Sequence, residues 1–247
     1  NILVSKVSLK KLNLSGNNSL FKSFEKKFQK VAKGKIFYRI GGSGAPLLLL
    51  HGYPQNHYMW HKIADDLAKD FTVILPDLRG YGQSFVLKGD RQHLNYSKKE
   101  IANDMIQLMD KLNFKKFFVA GHDRGGRVAH RMARDFRKKI LALSVLDICP
   151  TLDMYENTNR EFAKAYFHWF FLIQPAWFPE RMIMSDPRKW MKSCLDKWSG
   201  NHKFGDAEEA YFKSFKQNLH KNLLISDWNT IPHLAIPQVY ISTWMKE

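Results

Sequence analysis

A single turn restricts the folds open to this sequence more than any other segment does. It reads Gly121-His122-Asp123-Arg124-Gly125-Gly126 and lies between an apolar run and a stretch with helical periodicity. The spacing fits the pattern G-x-[nucleophile]-x-G, in which a tight strand-to-helix turn presents the central side chain. Glycines at 121 and 125 allow this turn because they carry no Cβ. The segment therefore predicts a strand–turn–helix unit with Asp123 at its tip, facing a helix N-terminus that favours negative charge.

Short apolar runs alternate with helical patterns through the first 150 residues. Continuous apolar runs at Pro46–Leu50 and Phe71–Leu75 are typical of strands buried on both faces, and Ile140–Leu146 predicts a further strand. Helical spacing covers Tyr58–Lys69 and Lys98–Leu112. This alternation predicts an α/β fold, with a mostly parallel sheet that is flanked by helices on both faces.

The alternation of strand and helix patterns stops after Asp147. Residues 151–230 are rich in aromatic side chains and show helical patterns without a clear strand. Residues 237–244 again resemble a buried strand, whereas residues 1–30 are polar and form either a loose arm or an N-terminal strand and turn. We therefore expect a core made of residues 1–150 and 231–247, with residues 151–230 inserted as a helical cap.

An aspartate at the tip of such a turn indicates a particular chemistry. A carboxylate there attacks an sp³ carbon, displaces a leaving group and forms an ester that water then cleaves. Asp123 thus favours haloalkane, halo-acid or epoxide substrates over ordinary esters. The alternative is that Asp123 is only a helix N-cap. Three features at the places this chemistry requires favour the nucleophile: His51-Gly52 after one strand, the glycine-rich loop 76–84 after the next, and Asp147 after a third.

Charge and composition narrow the range of partners. The formal net charge is +16, but the lysines are scattered and accompany no nucleic-acid motif, so we expect no nucleic-acid partner. A positive field can instead attract a small anionic substrate. No segment is long and apolar enough to suggest a membrane span. The two cysteines, Cys149 and Cys194, fit neither a metal site nor a disulfide framework, which favours a reducing, cytoplasmic location and predicts no metal.

Four segments resemble the fluoroacetate (haloacetate) dehalogenase group of the α/β-hydrolase superfamily. They are His51–Gln55, Gly121–Arg127, Leu146–Thr151 and His168-Trp169, within a match from about Lys35 to Gln174. The resemblance implies an α/β-hydrolase fold with an inserted helical cap. It also implies no metal or organic cofactor, and it makes a homodimer an expectation.

The resemblance assigns substrate binding to two arginines of the turn. Arg124 follows the nucleophile where related epoxide hydrolases usually carry Trp, and with Arg127 it would clamp the substrate carboxylate. Two guanidinium forks can hold one carboxylate bidentately and keep a neighbouring Asp ionised. The alternative is that each arginine is a structural ion-pairing residue.

Further roles follow from the same resemblance. His168 and Trp169 correspond to donors that receive the departing halide, although packing within an aromatic cap is the alternative. Trp228 stands near the place of a third donor, a tyrosine in the family. Backbone N–H groups of Tyr53 and Arg124 are expected to stabilise the oxyanion during ester cleavage.

The resemblance makes Asp147 the partner of a catalytic histidine that activates water. In this fold that histidine follows the final strand. None of the ten histidines lies after His233, which precedes the strand predicted at 237–244, whereas His122 is expected to belong to the turn. Two interpretations stay open at this point: the sequence is C-terminally incomplete, or the protein has lost its base.

The leading interpretation is hydrolytic dehalogenation of short 2-halo carboxylic acids such as fluoroacetate and chloroacetate. A second is epoxide hydrolysis, for which Tyr155 and Tyr166 of the cap would protonate the epoxide oxygen, although Arg124 argues against an uncharged substrate. A third is an inactive or truncated hydrolase-like protein that binds small carboxylates without turning them over.

Overall fold

The computed structural model describes residues 20–88, 94–174, 178–200 and 203–219. These residues form a six-stranded sheet. Its strands are β1 (Phe24–Val31), β2 (Gly34–Gly41), β3 (Ala45–Leu50), β4 (Phe71–Pro76), β5 (Phe117–His122) and β6 (Ile140–Leu146). The N-terminal polar region thus contributes a strand, β1, that pairs with β2, which is one of the two arrangements expected from the sequence.

The strand order explains how the chemistry-bearing residues come together. Across the sheet the order is β1-β2-β4-β3-β5-β6. β1 pairs antiparallel with β2 and β2 antiparallel with β4, whereas β4, β3, β5 and β6 run parallel. Because parallel strands end at the same edge, the segments that follow β3, β4, β5 and β6 meet there.

Alternation along the central strands buries both faces of the sheet. On β3, Leu48 and Leu50 belong to one hydrophobic cluster with the helices of one face, whereas Leu49 belongs to a second cluster on the other. On β4, Ile74 joins the first cluster and Val73 the second. The side chains of a strand point alternately to opposite faces, so each apolar run has to be covered by other elements on both faces of the sheet. The prediction of strands buried on both faces is confirmed for β3 and β4.

Two core helices agree with the sequence patterns. Helix α2 spans Lys98–Lys111 and α3 spans Arg124–Asp135. The predicted helix over Tyr58–Lys69 is wrong as one element. It divides into a 3₁₀ turn, His57–Trp60, and a short helix α1, Ala64–Leu67, because hydrogen bonds between them run from residue i+3 back to residue i.

The cap residues that the structure describes contain helices and no strand. They are α4 (Thr151–Glu156), α5 (Arg160–Ala165), α6 (Phe167–Leu172), α7 (Phe178–Ser185), α8 (Pro187–Trp198) and α9 (Asp206–Leu219). The helical character predicted for this region agrees with them. The strand predicted at residues 237–244, the candidate donor Trp228 and the segment 231–247 of the core lie outside the described residues. The division into core and cap stays a prediction.

Candidate active site

The turn after β5 has the conformation that the sequence predicts. Asp123 joins β5 to α3 with φ 47° and ψ −115°, a strained geometry for a residue with a Cβ. Asp123 occupies the N-cap position of α3, but its side chain makes no capping hydrogen bond within the described structure, so a capping role for the carboxylate finds no support. The backbone instead projects the carboxylate from the carboxyl edge of the sheet.

Glycines are needed at the turn because backbone approaches it closely. A Cβ at Gly121 would lie 2.4 Å from the carbonyl carbon of Gly125, and a Cβ at Gly125 would lie 2.4 Å from the carbonyl oxygen of Leu50. A Cβ at Gly52 would lie 2.7 Å from Cβ of Asp123. The first turn of α3 therefore packs directly on the ends of β3 and β5 and fixes the position of the carboxylate.

The Asp123 carboxylate is held in its ionised form. Its Oδ2 accepts a hydrogen bond of 2.9 Å from the backbone N–H of Tyr53. Burial acts to raise the pKa of this carboxyl. The Arg124 guanidinium, the Tyr53 N–H and the Arg127 guanidinium outweigh burial, and the net effect is a pKa below the ordinary value of 3.8. The carboxylate is therefore available as a nucleophile at neutral pH.

Arg124 lies between two tyrosines beside the nucleophile. Its Nη1 donates to the Tyr81 hydroxyl at 3.0 Å, and its Cζ stands 4.6 Å from the centre of the Tyr53 ring. Tyr53 is held from the cap side because Nε1 of Trp190 donates to its hydroxyl at 2.7 Å. Contacts with an aromatic face and a phenol orient the guanidinium beside Asp123.

Arg127 is positioned by the cap. Its Nη1 donates to the Thr151 hydroxyl, and its Nη2 points to the sulfur of Met154 at 3.7 Å. Its Cζ lies 4.7 Å from the centre of the Trp169 ring. These direct contacts are with neutral groups, and the opposing charge that acts on Arg127 is the Asp123 carboxylate. No salt bridge holds Arg127 among the described residues, so the alternative of a structural ion pair finds no support there.

His168 and Trp169 both lie on α6 and approach the site in different ways. Trp169 covers Arg127, whereas the His168 ring lies 4.4 Å from the ring of Trp198. Burial lowers the pKa of His168 to about 4, and Asp123 opposes this shift. The imidazole is therefore neutral near pH 7 and can donate one hydrogen bond. Trp169 thus contacts Arg127, and His168 interacts electrostatically with Asp123. The halide-binding role of both residues stays a prediction.

Asp147 follows β6 at the same edge of the sheet. Its φ is 54°, and 86% of its side chain is exposed. Its Oδ2 lies 3.8 Å from Nε2 of His122, which is an ion-pair distance and longer than a hydrogen bond. His122 was expected to belong to the turn, and the structure places it as the last residue of β5, directly before Asp123. The pairing of Asp147 with a catalytic histidine stays a prediction.

Buried polar groups behind the site fix the loops after β3 and β4. Nε2 of His51 accepts the backbone N–H of Leu78 at 2.9 Å, and burial lowers the pKa of His51 to about 4. Asp77 accepts hydrogen bonds from the N–H and Nδ1 of His57 at 2.9 and 2.7 Å. These contacts hold the His51-Gly52-Tyr53 backbone that carries the donor to Asp123.

Three residues of the site were not predicted from the sequence. Tyr81 and Trp190 orient Arg124 and Tyr53, and Lys98 lines a small cavity beside Arg124. Tyr81 lies in the glycine-rich loop, which was the available signal for it. Trp190 and Lys98 carried none, because their contacts depend on how the cap and α2 pack against the turn.

Two other kinds of site have no candidate among the described residues. No group of three or more His, Cys, Asp or Glu residues in these ranges could hold a metal ion. Within the same ranges, none of the helices has the length and apolar character that crossing a membrane requires.

Comparisons with known proteins agree with this architecture. A family model described as alpha/beta hydrolase fold matches residues 45–235. A solved structure assigned to the α/β hydrolases, from Nostoc sp PCC 7120, superposes with a TM-score of 0.81 at 45% identity and covers 85% of this chain and 73% of its own.

Two curated relatives carry named activities. A fluoroacetate dehalogenase from Burkholderia sp is 46% identical over 200 residues, which cover 80% of this chain and 66% of the relative. A soluble epoxide hydrolase from Corynebacterium sp. (strain C12) is 42% identical over 118 residues, which cover 48% of this chain and 40% of the relative. The chain thus spans less than two thirds of the length of either relative.

Proposed function

This chain belongs to the α/β-hydrolase fold family, and from that premise we propose that it hydrolyses the carbon–halogen bond of short 2-halo carboxylic acids such as fluoroacetate. One observation carries the proposal: two guanidinium groups, those of Arg124 and Arg127, act on the ionised Asp123 carboxylate at the tip of the turn. An anionic substrate supplies the charge that such a pair is placed to bind. The similarity to a fluoroacetate dehalogenase supports the same substrate class.

The first chemical step is a displacement at carbon. An oxygen of Asp123 attacks the carbon that bears the halogen, the carbon–halogen bond breaks, and halide leaves with the bonding electrons. The substrate carboxylate is held by Arg124 and Arg127, which keeps its neighbouring carbon in line with the nucleophile. We assign the halide to the donors of His168 and Trp169, with Trp228 as a third.

The second step releases the product. Water attacks the carbonyl carbon of the Asp123 ester, and the bond from that carbon to the Asp123 oxygen that carries the substrate carbon breaks. The 2-hydroxy acid leaves with this oxygen, the water oxygen stays in the regenerated carboxylate, and a base transfers the proton from water to the leaving alkoxide. The backbone N–H of Tyr53 already donates to Oδ2 of Asp123, so it is placed to stabilise the oxyanion together with the N–H of Arg124. We assign Asp147 to orient the base.

Epoxide hydrolysis is the second candidate, and the cap offers a specific observation for it. The rings of Tyr155 and Tyr166 lie 5.5 and 5.6 Å from Trp169, which itself covers Arg127. Phenols on this side of the site could protonate an epoxide oxygen. The charge of Arg124 and Arg127 favours an anionic substrate over an epoxide without charge, which makes dehalogenation the better-supported function.

A direct comparison of substrates tests the proposal. The protein is incubated with fluoroacetate, chloroacetate or styrene oxide, and released halide and formed diol are quantified. We expect halide from both acids and no diol. Diol without halide would support epoxide hydrolysis, whereas uptake of chloroacetate without halide release would support a carboxylate-binding protein.

A further inference from the structure

Tyr53 contacts two charged groups of the proposed chemistry at once. Its backbone N–H donates to Oδ2 of Asp123 at 2.9 Å, and the centre of its ring lies 4.6 Å from Cζ of Arg124. The N–H orients the carboxylate that attacks carbon, and the ring supports a guanidinium that we assign to the substrate carboxylate. A shift of Tyr53 would therefore disturb the nucleophile and its neighbouring cation together.

The side chain of Tyr53 is held by a residue of another segment, Trp190 on α8. Nε1 of Trp190 donates to the Tyr53 hydroxyl at 2.7 Å, which is at the short end of the range for an N–H donor. Tyr53 is 4% exposed, and burial raises the pKa of its phenol well above the ordinary value of 10. The acceptor is therefore a neutral phenol, because an indole N–H can only donate.

The indole of Trp190 is placed by contacts other than this hydrogen bond. Its ring lies 5.1 Å from the ring of Phe171 on α6, with 46° between the planes. Three other residues of α8 are buried in the same hydrophobic cluster as Tyr53: Met191, Cys194 and Leu195. Because apolar packing holds α8, removal of the indole N–H should release the Tyr53 side chain and leave the helix in its place.

Asp123 and Arg124 depend on Tyr53 to different degrees. Arg124 has a second support, since its Nη1 donates to the Tyr81 hydroxyl at 3.0 Å. Among the described residues, the N–H of Tyr53 is the one hydrogen-bond donor to the Asp123 carboxylate. Looser placement of Tyr53 should therefore impair the orientation of the nucleophile more than the binding of a carboxylate.

We propose that Trp190 is a positioning residue for the displacement, which fixes the orientation of the Asp123 carboxylate by holding the Tyr53 hydroxyl. The effect of Trp190 on turnover rests on the proposed function, whereas its effect on Tyr53 does not. Trp190 acts on the nucleophile through Tyr53. It should therefore govern kcat more than KM, which distinguishes this role from substrate binding.

Two near-isosteric variants remove the hydrogen bond from opposite sides. Trp190→Phe removes the donor and keeps an aromatic ring beside Phe171, whereas Tyr53→Phe removes the acceptor and keeps the ring beside Arg124 and the backbone N–H. We expect each to lower kcat for fluoroacetate about three- to tenfold, the size expected for one lost neutral hydrogen bond, and to change KM less than about twofold. The double variant should lose no more than either single variant, because both remove the same bond.

Trp60→Phe is the matched control. Trp60 is also 4% exposed, it belongs to the hydrophobic cluster on the other face of the sheet, and its Nε1 has no hydrogen-bond partner among the described residues. The same change there should leave kcat unaltered. The proposal would be overturned by an unaltered kcat in Tyr53→Phe, or by a double variant whose loss is the product of the two single losses.

The indole N–H of Trp190 also gives a readout that needs no turnover. In proton–nitrogen correlation spectra, the signal that Trp190→Phe lacks identifies Trp190 among the seven tryptophans. We expect Tyr53→Phe to shift this signal and to speed the exchange of its proton with solvent, because the acceptor is lost. An unaltered signal would overturn the proposal even if halide is released. An altered signal in a protein whose unaltered form releases no halide would overturn the proposed function and support the hold of Trp190 on Tyr53.

Discussion

The backbone N–H of Tyr53 donates a 2.9 Å hydrogen bond to Oδ2 of Asp123, although 70 positions separate the two residues. β3 and β5 are adjacent and parallel, so the segment that follows β3 lies beside the turn that follows β5. The donor thus comes from a loop that His51 fixes through Leu78, and the acceptor comes from a turn that needs glycine. The loop after β3 and the turn after β5 therefore fix the position of the Asp123 carboxylate together. Substitutions in either segment should displace this carboxylate.

The close packing of the turn predicts a large effect of Gly125→Ala. The added Cβ would lie 2.4 Å from the Leu50 carbonyl oxygen. This oxygen belongs to the backbone of β3, so it cannot move away without distorting the strand. We expect a loss of more than about 3 kcal/mol in the free energy of unfolding, measured by denaturant titration. Gly200→Ala is the control for an added methyl group without a steric clash, because nothing lies within 4 Å of the Cβ position of Gly200, whose φ is 60°. It should lose only about 1 kcal/mol. Equal losses would contradict the packing account.

Removal of the Arg127 charge should weaken substrate binding selectively. A hydrogen bond to a charged group contributes about 1.5–3 kcal/mol, so Arg127→Met should raise the KM for fluoroacetate about 10- to 100-fold. Arg131→Met is the control, since Arg131 lies one turn further along α3 and pairs with Asp135. The control should leave KM within about twofold. Arg127 has no role in binding the carboxylate if the two variants behave alike in steady-state assays.

The buried His51 predicts that acid destabilises the fold. Burial lowers its folded pKa from 6.5 to about 4, so below pH 6.5 the unfolded chain binds a proton that the folded ring does not. The contribution is fully present above pH 6.5 and is lost as the pH falls through about 4. It amounts to about 3 kcal/mol. The variant His51→Asn keeps an acceptor for Leu78 without titrating, so its free energy of unfolding should fall less between pH 6.5 and 4. Parallel curves for both proteins would count against this assignment.

Much of the fold could be predicted from local sequence patterns. The apolar runs of β3 and β4, the helical spacing of α2 and the turn around Asp123 each depend on a few neighbouring residues, and the structure agrees with all four. For the segment Tyr58–Lys69, the local pattern gave the wrong element. Its periodicity is helical, yet i+3 to i hydrogen bonds divide it, and spacing alone does not distinguish the two patterns.

The site was predictable only where a motif names its residues. Asp123, Arg124 and Arg127 follow from one turn, and the structure brings them together. The contacts that orient them join distant segments: Trp190 to Tyr53 over 137 positions and Tyr81 to Arg124 over 43. In the sequence, Lys98 is only the first residue of the helix predicted at Lys98–Leu112. Its place in the cavity beside Arg124 exists only once α2 packs beside α3.

The most direct test of the account counts halide released per chain from fluoroacetate and chloroacetate, together with the mass of the peptide that carries Asp123. The account predicts halide release by the unaltered protein and a carboxymethyl ester on Asp123 when the reaction is stopped by acid. Asp123→Asn should bind the acids and release no halide beyond the background rate. About one halide per chain would mean that the ester forms and persists, and many would mean that water also cleaves it. Well-folded protein that releases no halide, or an Asp123→Asn variant that releases it as fast as the unaltered protein, would contradict the central claim.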